Sequence, residues 1–134
     1  NSEGIINSLS GMDYIFTPIA ADRVVLESSL SFAVAIHKLL VKNEACRLKG
    51  LHLFWNMVDG REKTDLYTLY EQTIGELELP LMKVFIPDTK RFKKELDAQR
   101  KTVFRSTLFP ADKRLGKGSN MEELITEIAY LIKL

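Results

Sequence analysis

The chain has 134 residues, 46% of them hydrophobic and 28% charged, which suits one domain with a real core and shows no sign of disorder or low complexity. Net charge is only +1, but residues 83–117 hold 11 Lys/Arg against 4 Asp/Glu, a net +7, and leave the remainder at −6, so one basic stretch sits in an acidic body and suits a polyanionic partner. The longest apolar runs, such as residues 31–36, are too short to span a bilayer, and the lone cysteine, Cys46, excludes an internal disulfide and a cysteine-based metal site.

Residues 3–10 read as a short helix stopped by Gly11. Residues 14–19 form a buried strand with Pro18 near its end, where a missing amide donor is tolerable. Asp22 is placed to cap a long helix reaching about Lys42, with Val25, Leu26, Ser29, Leu30, Ala33, Ile36, Leu39 and Leu40 on one broad apolar face. A polar connection over residues 43–50 leads into a second strand, Leu51 to Trp55. The next helix runs from about Lys63 to Leu77, with Leu66, Leu69, Tyr70, Thr73, Ile74 and Leu77 inward. Pro80 turns the chain into a third strand, Met82 to Ile86.

Beyond Pro87 a short basic helix is predicted over residues 89–98, pinned by Phe92 and Leu96. Residues 99–118 have no clear period, and 104–110 read as extended or irregular. A final helix opens on a capping box of Ser119 with Glu122 and lines Met121, Leu124, Ile125, Ile128, Leu131 and Ile132 along one face. Strands alternating with helices predict a three-layer α/β fold with a mainly parallel sheet. The first strand is rich in aromatic and aliphatic residues, so its far side needs another strand that the chain does not obviously provide, as in a piece of a larger sheet. The first residue, Asn1, is not Met and no signal peptide precedes the helix, in keeping with a fragment from a reducing, cytoplasmic setting.

In such sheets ligands bind just beyond the carboxyl ends of the strands, here residues 56–61 and 87–91. No glycine-rich phosphate loop is present. The nearest glycine cluster, residues 114–120, lacks the first glycine of that pattern and follows no clear strand.

The series Ala20-Ala21-Asp22-Arg23, Asn56-Met57-Val58-Asp59-Gly60-Arg61, Phe85-Ile86-Pro87-Asp88 and Phe104-Arg105-Ser106 resembles the carboxyl-terminal half of ParA/MinD-type ATPases, deviant Walker P-loop proteins. Residues 59–67 with 107–114 look like the branch carried by conjugative transposons and called TraA. The resemblance covers essentially the whole chain; each motif is weak, and their order and spacing carry the specificity. It implies that the P-loop, signature lysine and magnesium ligands belong to an amino-terminal half. ATP and magnesium are then cofactors of the whole parent and not of this part, which alone would lack ATPase activity. The implied partners are non-specific DNA, a second copy in the parent, and a ParB-like protein; no membrane is implied.

Under that resemblance Asn56 contacts adenine, since one amide offers a donor and an acceptor to a purine edge. Its alternative is a turn asparagine bonded to its own backbone. Pro87 and Asp88 fall on a second adenine-side loop, with helix capping as the other role for Asp88. Lys90, Arg91, Lys93, Lys94 and Arg105, with Arg100 and Lys101, are the DNA-binding candidates, either scattered cations along phosphates or a solvated face. Arg61 is open among a phosphate, a partner carboxylate, DNA, and a surface ion pair with Glu62 or Asp65.

His37 and His52 read as packing residues, Trp55 as a buried sheet–helix contact, Tyr67 and Tyr70 as core, and Cys46 as an inert loop thiol. No catalytic set and no metal site is legible. The second reading of the whole chain is an autonomous DNA- or protein-binding module that keeps only the relic fold.

Overall fold

A computed structural model describes residues 2–41, 46–61, 64–88, 116 and 118–134. In chain order these form α1 (Ser2–Ser10), β1 (Tyr14–Ile19), α2 (Arg23–Ile36), β2 (Gly50–Trp55), α3 (Thr64–Glu76) and α4 (Met121–Leu131). A π-helical turn, His37–Val41, extends α2. The result is a mixed helix-and-strand fold around a parallel pair, β1 and β2, in register from Tyr14 opposite Gly50 to Ile19 opposite Trp55.

Strand periodicity splits the side chains between two clusters. Ile15 and Ile19 of β1 join Leu51, Leu53 and Trp55 of β2 in the larger core, with Leu26, Leu30, Ala33, Ile36 and Leu40 from the long helix and Ile74 from α3. The intervening residues Phe16 and Phe54 pack with Met82, Ile86 and Leu124 in a second cluster that also takes in Ile128 and Leu131 of α4. The sheet is therefore covered by α2 and α3 on one face and by α4 on the other. Leu51 and Leu53 are fully buried, and truncating either to Ala would cost about 2–5 kcal/mol.

Asp22 caps α2 as its position predicts, accepting the Val25 N–H at 3.0 Å. The apolar face is narrower than the spacing implies, because Val25 and Leu39 are about half exposed (48% and 53%). With its π-helical turn the helix runs Arg23–Val41, long and apolar enough by length and composition to cross a membrane, with mean hydropathy 1.7. The unbroken apolar runs are shorter than the helix because serines interrupt them without making it polar. On α3 the inner stripe is Leu66, Tyr67, Tyr70 and Ile74, while Leu69, Thr73 and Leu77 are exposed.

The third strand is the main departure. Residues 80–88 run parallel to β2 but pair only as isolated bridges, Leu53 with Leu81 and Val58 with Pro87. Leu53 donates to the Pro80 carbonyl and accepts from Met82; the next acceptor on β2, Trp55, is reached by Ile86. Four residues of this segment thus match two of β2, and the surplus bulges out. Glu127 of α4 takes the freed amides, accepting from Lys83 at 2.9 Å and Val84 at 2.8 Å.

At the start of α4 the predicted capping box of Ser119 with Glu122 does not form, because the cap falls one residue later and the Ser119 hydroxyl meets Met121 instead of Glu122. Asn120, in the left-handed region at φ 60°, is the cap residue without a side-chain bond to the helix. Ser119, fully buried, accepts the Met121 N–H at 3.2 Å and donates to the Gly116 carbonyl at 2.6 Å. Asn120 instead sends its amide N–H to the Phe85 carbonyl at 3.0 Å, a second tie from α4 to the bulge. Along α4, Leu124, Ile128 and Leu131 face inward, but Ile125 (60%) and Met121 (40%) are exposed.

Candidate functional site

The carboxyl ends of β1, β2 and the 80–88 segment are tied to one another by backbone bonds. Asn56 donates its N–H to the Ile19 carbonyl at 2.8 Å, which fastens the end of β2 to the end of β1. Two residues on, Val58 accepts from Asp88 and donates to Ile86, so the turn is laced to the segment carrying Pro87. The structure thus brings Asn56, Pro87 and Asp88 onto one rim. Between them Met57 sits at φ 52° with more than half its surface exposed. A non-glycine residue there costs on the order of 1 kcal/mol, and no sequence signal marks it.

The half-buried Asn56 side chain makes no hydrogen bond among the described residues, so the self-bonded turn asparagine is not what this loop contains. Its amide is available as one donor group and one acceptor. Asp88 has further interactions of its own; the helix it is predicted to cap begins outside the described residues.

Arg61 pairs with Asp59 and not with Asp65, while Glu62 lies outside the described residues. Its guanidinium bonds both carboxylate oxygens of Asp59, at 3.1 and 3.0 Å, and its backbone N–H bonds the same carboxylate at 2.9 Å. The hydrogen bonds to Asp59, with that carboxylate's charge, hold the guanidinium more firmly protonated than usual. This local clasp shapes the turn. Lys90, Arg91, Lys93, Lys94, Arg100, Lys101 and Arg105 lie outside the described residues, as do the predicted basic helix and residues 104–110.

A cavity among the described residues lies away from this rim. A cleft of about 800 Å³ opens between α4 and residues 80–84, with His52 on its wall. His52 is half-buried and its ring stacks on Phe16, centroids 5.5 Å apart, which agrees with a packing role. Burial lowers its pKa, against a smaller opposing pull from the Glu127 charge. The bulge wall is held by Glu127 through the two amides. Sequence reasoning assigns neither residue to a cleft, although Glu127 is legible in retrospect as a carboxylate on the inward stripe of α4, between Leu124 and Leu131.

Trp55 is buried as expected, its indole N–H bonded to Glu71 at 3.0 Å and its ring met edge-on by Tyr67, centroids 4.9 Å apart. Half-buried Cys46 packs against the larger core. Among the described residues no group of three or more His, Cys, Asp or Glu is placed to hold a metal ion. No protein-family model, curated protein or solved structure matches the chain.

Proposed function

We propose that this chain is the carboxyl-terminal portion of an ATPase of the ParA/MinD type, a three-layer P-loop fold serving partition or conjugative transfer. In this reading it supplies the adenine-side wall of the nucleotide site and a basic surface for DNA. The observation that carries the reading is the shared rim of Asn56, Pro87 and Asp88 at the strand ends, with the Asn56 amide uncommitted. A purine edge offers that amide the donor and acceptor it lacks.

The state of the sheet also supports it. The carbonyls of Asp13 and Ile19 point to β2, where they accept from Lys49 and Asn56, so the even-numbered residues of β1 face the other way. Among the described residues that outer edge of β1 pairs with nothing, as expected of a strand awaiting a neighbour. Pro18 lies on this edge, so a neighbour finds no amide donor at that position.

The residues present fit the base and not the triphosphate. ATP and magnesium would be gripped by the P-loop half of the parent, whose charge and backbone amides supply the phosphate chemistry. A second copy of the parent and a ParB-like protein complete the proposed assembly. In the protein carrying that half, Asn56→Ala should weaken ATP binding about tenfold, the equivalent of one or two missing hydrogen bonds. The melting temperature should be preserved. Calorimetric titration with ATP decides it, and an unchanged affinity removes Asn56 from the site.

A further inference from the structure

We infer that the cleft between α4 and residues 80–84 binds an organic ammonium ion with an apolar body, its charged end held by Glu122 and Glu123 and its body lying against Leu81, Met82 and Leu131. This goes beyond the nucleotide reading and does not depend on it, since the cleft lies on the α4 face and not at the strand ends.

The volume, about 800 Å³, falls within the range of pockets that take a single small molecule. The walls are mostly apolar, and one of them is fixed in advance. Glu127 pins the Lys83 and Val84 amides, and Asn120 pins the Phe85 carbonyl, so the bulge needs little reorganisation on binding.

The polar groups set the sign of the ligand. Glu122 and Glu123 stand exposed in the first turn of α4 and line the cleft, and no side-chain bond engages either carboxylate among the described residues. Lys83 is the one lysine or arginine on the lining among the described residues. His52, favoured in its neutral form by burial, has no hydrogen-bond partner among the described residues and offers a ring nitrogen as an acceptor. An ammonium group has only donors, which is the complement of such a site. A carboxylate ligand of the same shape would meet like charge.

The test titrates the whole chain with octylammonium, octanoate and spermine, followed by calorimetry and by the proton signals of the His52 ring. Octylammonium should bind and shift those signals. Octanoate, which keeps the apolar body and reverses the charge, should not, and neither should spermine, which keeps the charge without the body. The double variant Glu122→Gln, Glu123→Gln alters two exposed side chains and should stay folded while binding octylammonium about fivefold more weakly. Equal binding of octanoate, undiminished affinity in the double variant, or shifts confined to residues away from His52 and α4 would each overturn the proposal. The Asn56 reading would stand in any of those cases.

Discussion

Glu127 accepts the backbone N–H of Val84 at 2.8 Å, in place of the β2 carbonyl that a regular parallel ladder would have offered. Its second oxygen takes the neighbouring amide of Lys83. One carboxylate on α4 therefore interrupts the third strand and fastens the helix across it. Bonds to a charged acceptor are worth about 1.5–3 kcal/mol each in buried settings and less where solvent competes, so Glu127→Ala should cost about 2 kcal/mol. Glu127→Gln keeps one carbonyl acceptor and should cost about half as much. Urea denaturation gives both values, and amide exchange at Val84 should accelerate in the Ala variant. Unchanged stability and exchange would mean that the clamp holds nothing.

His52 gives the fold a pH dependence of known sign. Burial lowers its pKa in the folded chain below the ordinary 6.5, so the unfolded chain binds the proton more readily. Stability is then complete above about pH 6.5 and is lost as the pH falls through that value towards the folded pKa. Urea midpoints compared at about pH 7.5 and about pH 5 should fall more for the parent than for His52→Gln, which has no imidazole to charge. Equal drops in the two proteins would show that other groups carry the effect.

Gly50 lies beneath the same ring. A methyl group there would come within 3.1 Å of His52 Nε2 and 3.5 Å of Tyr14 Cδ1, and the stack on Phe16 restricts how far the imidazole can retreat. Gly50→Ala should therefore destabilise despite the better strand propensity of alanine. Placed beside His52→Ala, it should cost about 1 kcal/mol less than in the parent. Additive effects in that double-mutant cycle would place the clash elsewhere.

The local rules carried as far as each residue's environment stayed local. Asp22 capped α2 because capping needs only a side-chain oxygen three residues ahead of an amide, and strand pairing followed from two apolar runs of matching length. The third strand failed because its interruption is tertiary. Met82 to Ile86 has good strand composition, and what breaks its ladder is a carboxylate more than 40 residues away. Val25, Leu69 and Ile125 fit the helical period but sit at the margins of faces that neighbouring elements cover only in part. At the candidate rim, Asn56 and Pro87 were legible from their positions after apolar runs. The Asp59–Arg61 clasp was not, because a pairing two residues apart in a turn depends on turn geometry that composition does not specify.

Glu71 is the partner of the only tryptophan in the chain. Removing it leaves the Trp55 indole N–H buried without an acceptor while the ring stays packed against Tyr67. Glu71→Ala should cost about 1–2 kcal/mol, and Glu71→Gln, which keeps an acceptor oxygen, should recover most of it. Tryptophan emission makes the test direct: it should change in the Ala variant under native conditions and stay near the parent's in the Gln variant. A stability loss shared equally by both variants would assign the effect to the charge and not to the hydrogen bond.

The basic stretch makes its own prediction, from charge alone. Lys90, Arg91, Lys93 and Lys94 lie within the net +7 region, and cations that neutralise backbone phosphates release counterions without reading bases. Binding to unrelated duplexes should be of similar strength and fall steeply between about 50 mM and about 200 mM salt. Replacing all four with Ala should weaken every duplex alike and flatten the log–log salt slope by up to about 3–4, one increment for each phosphate that a side chain no longer neutralises. Fluorescence anisotropy on two duplexes of different sequence separates the outcomes. A quadruple variant with the parent's affinity and slope would take these residues out of the DNA-facing surface, and a loss confined to one duplex would replace phosphate binding with base recognition.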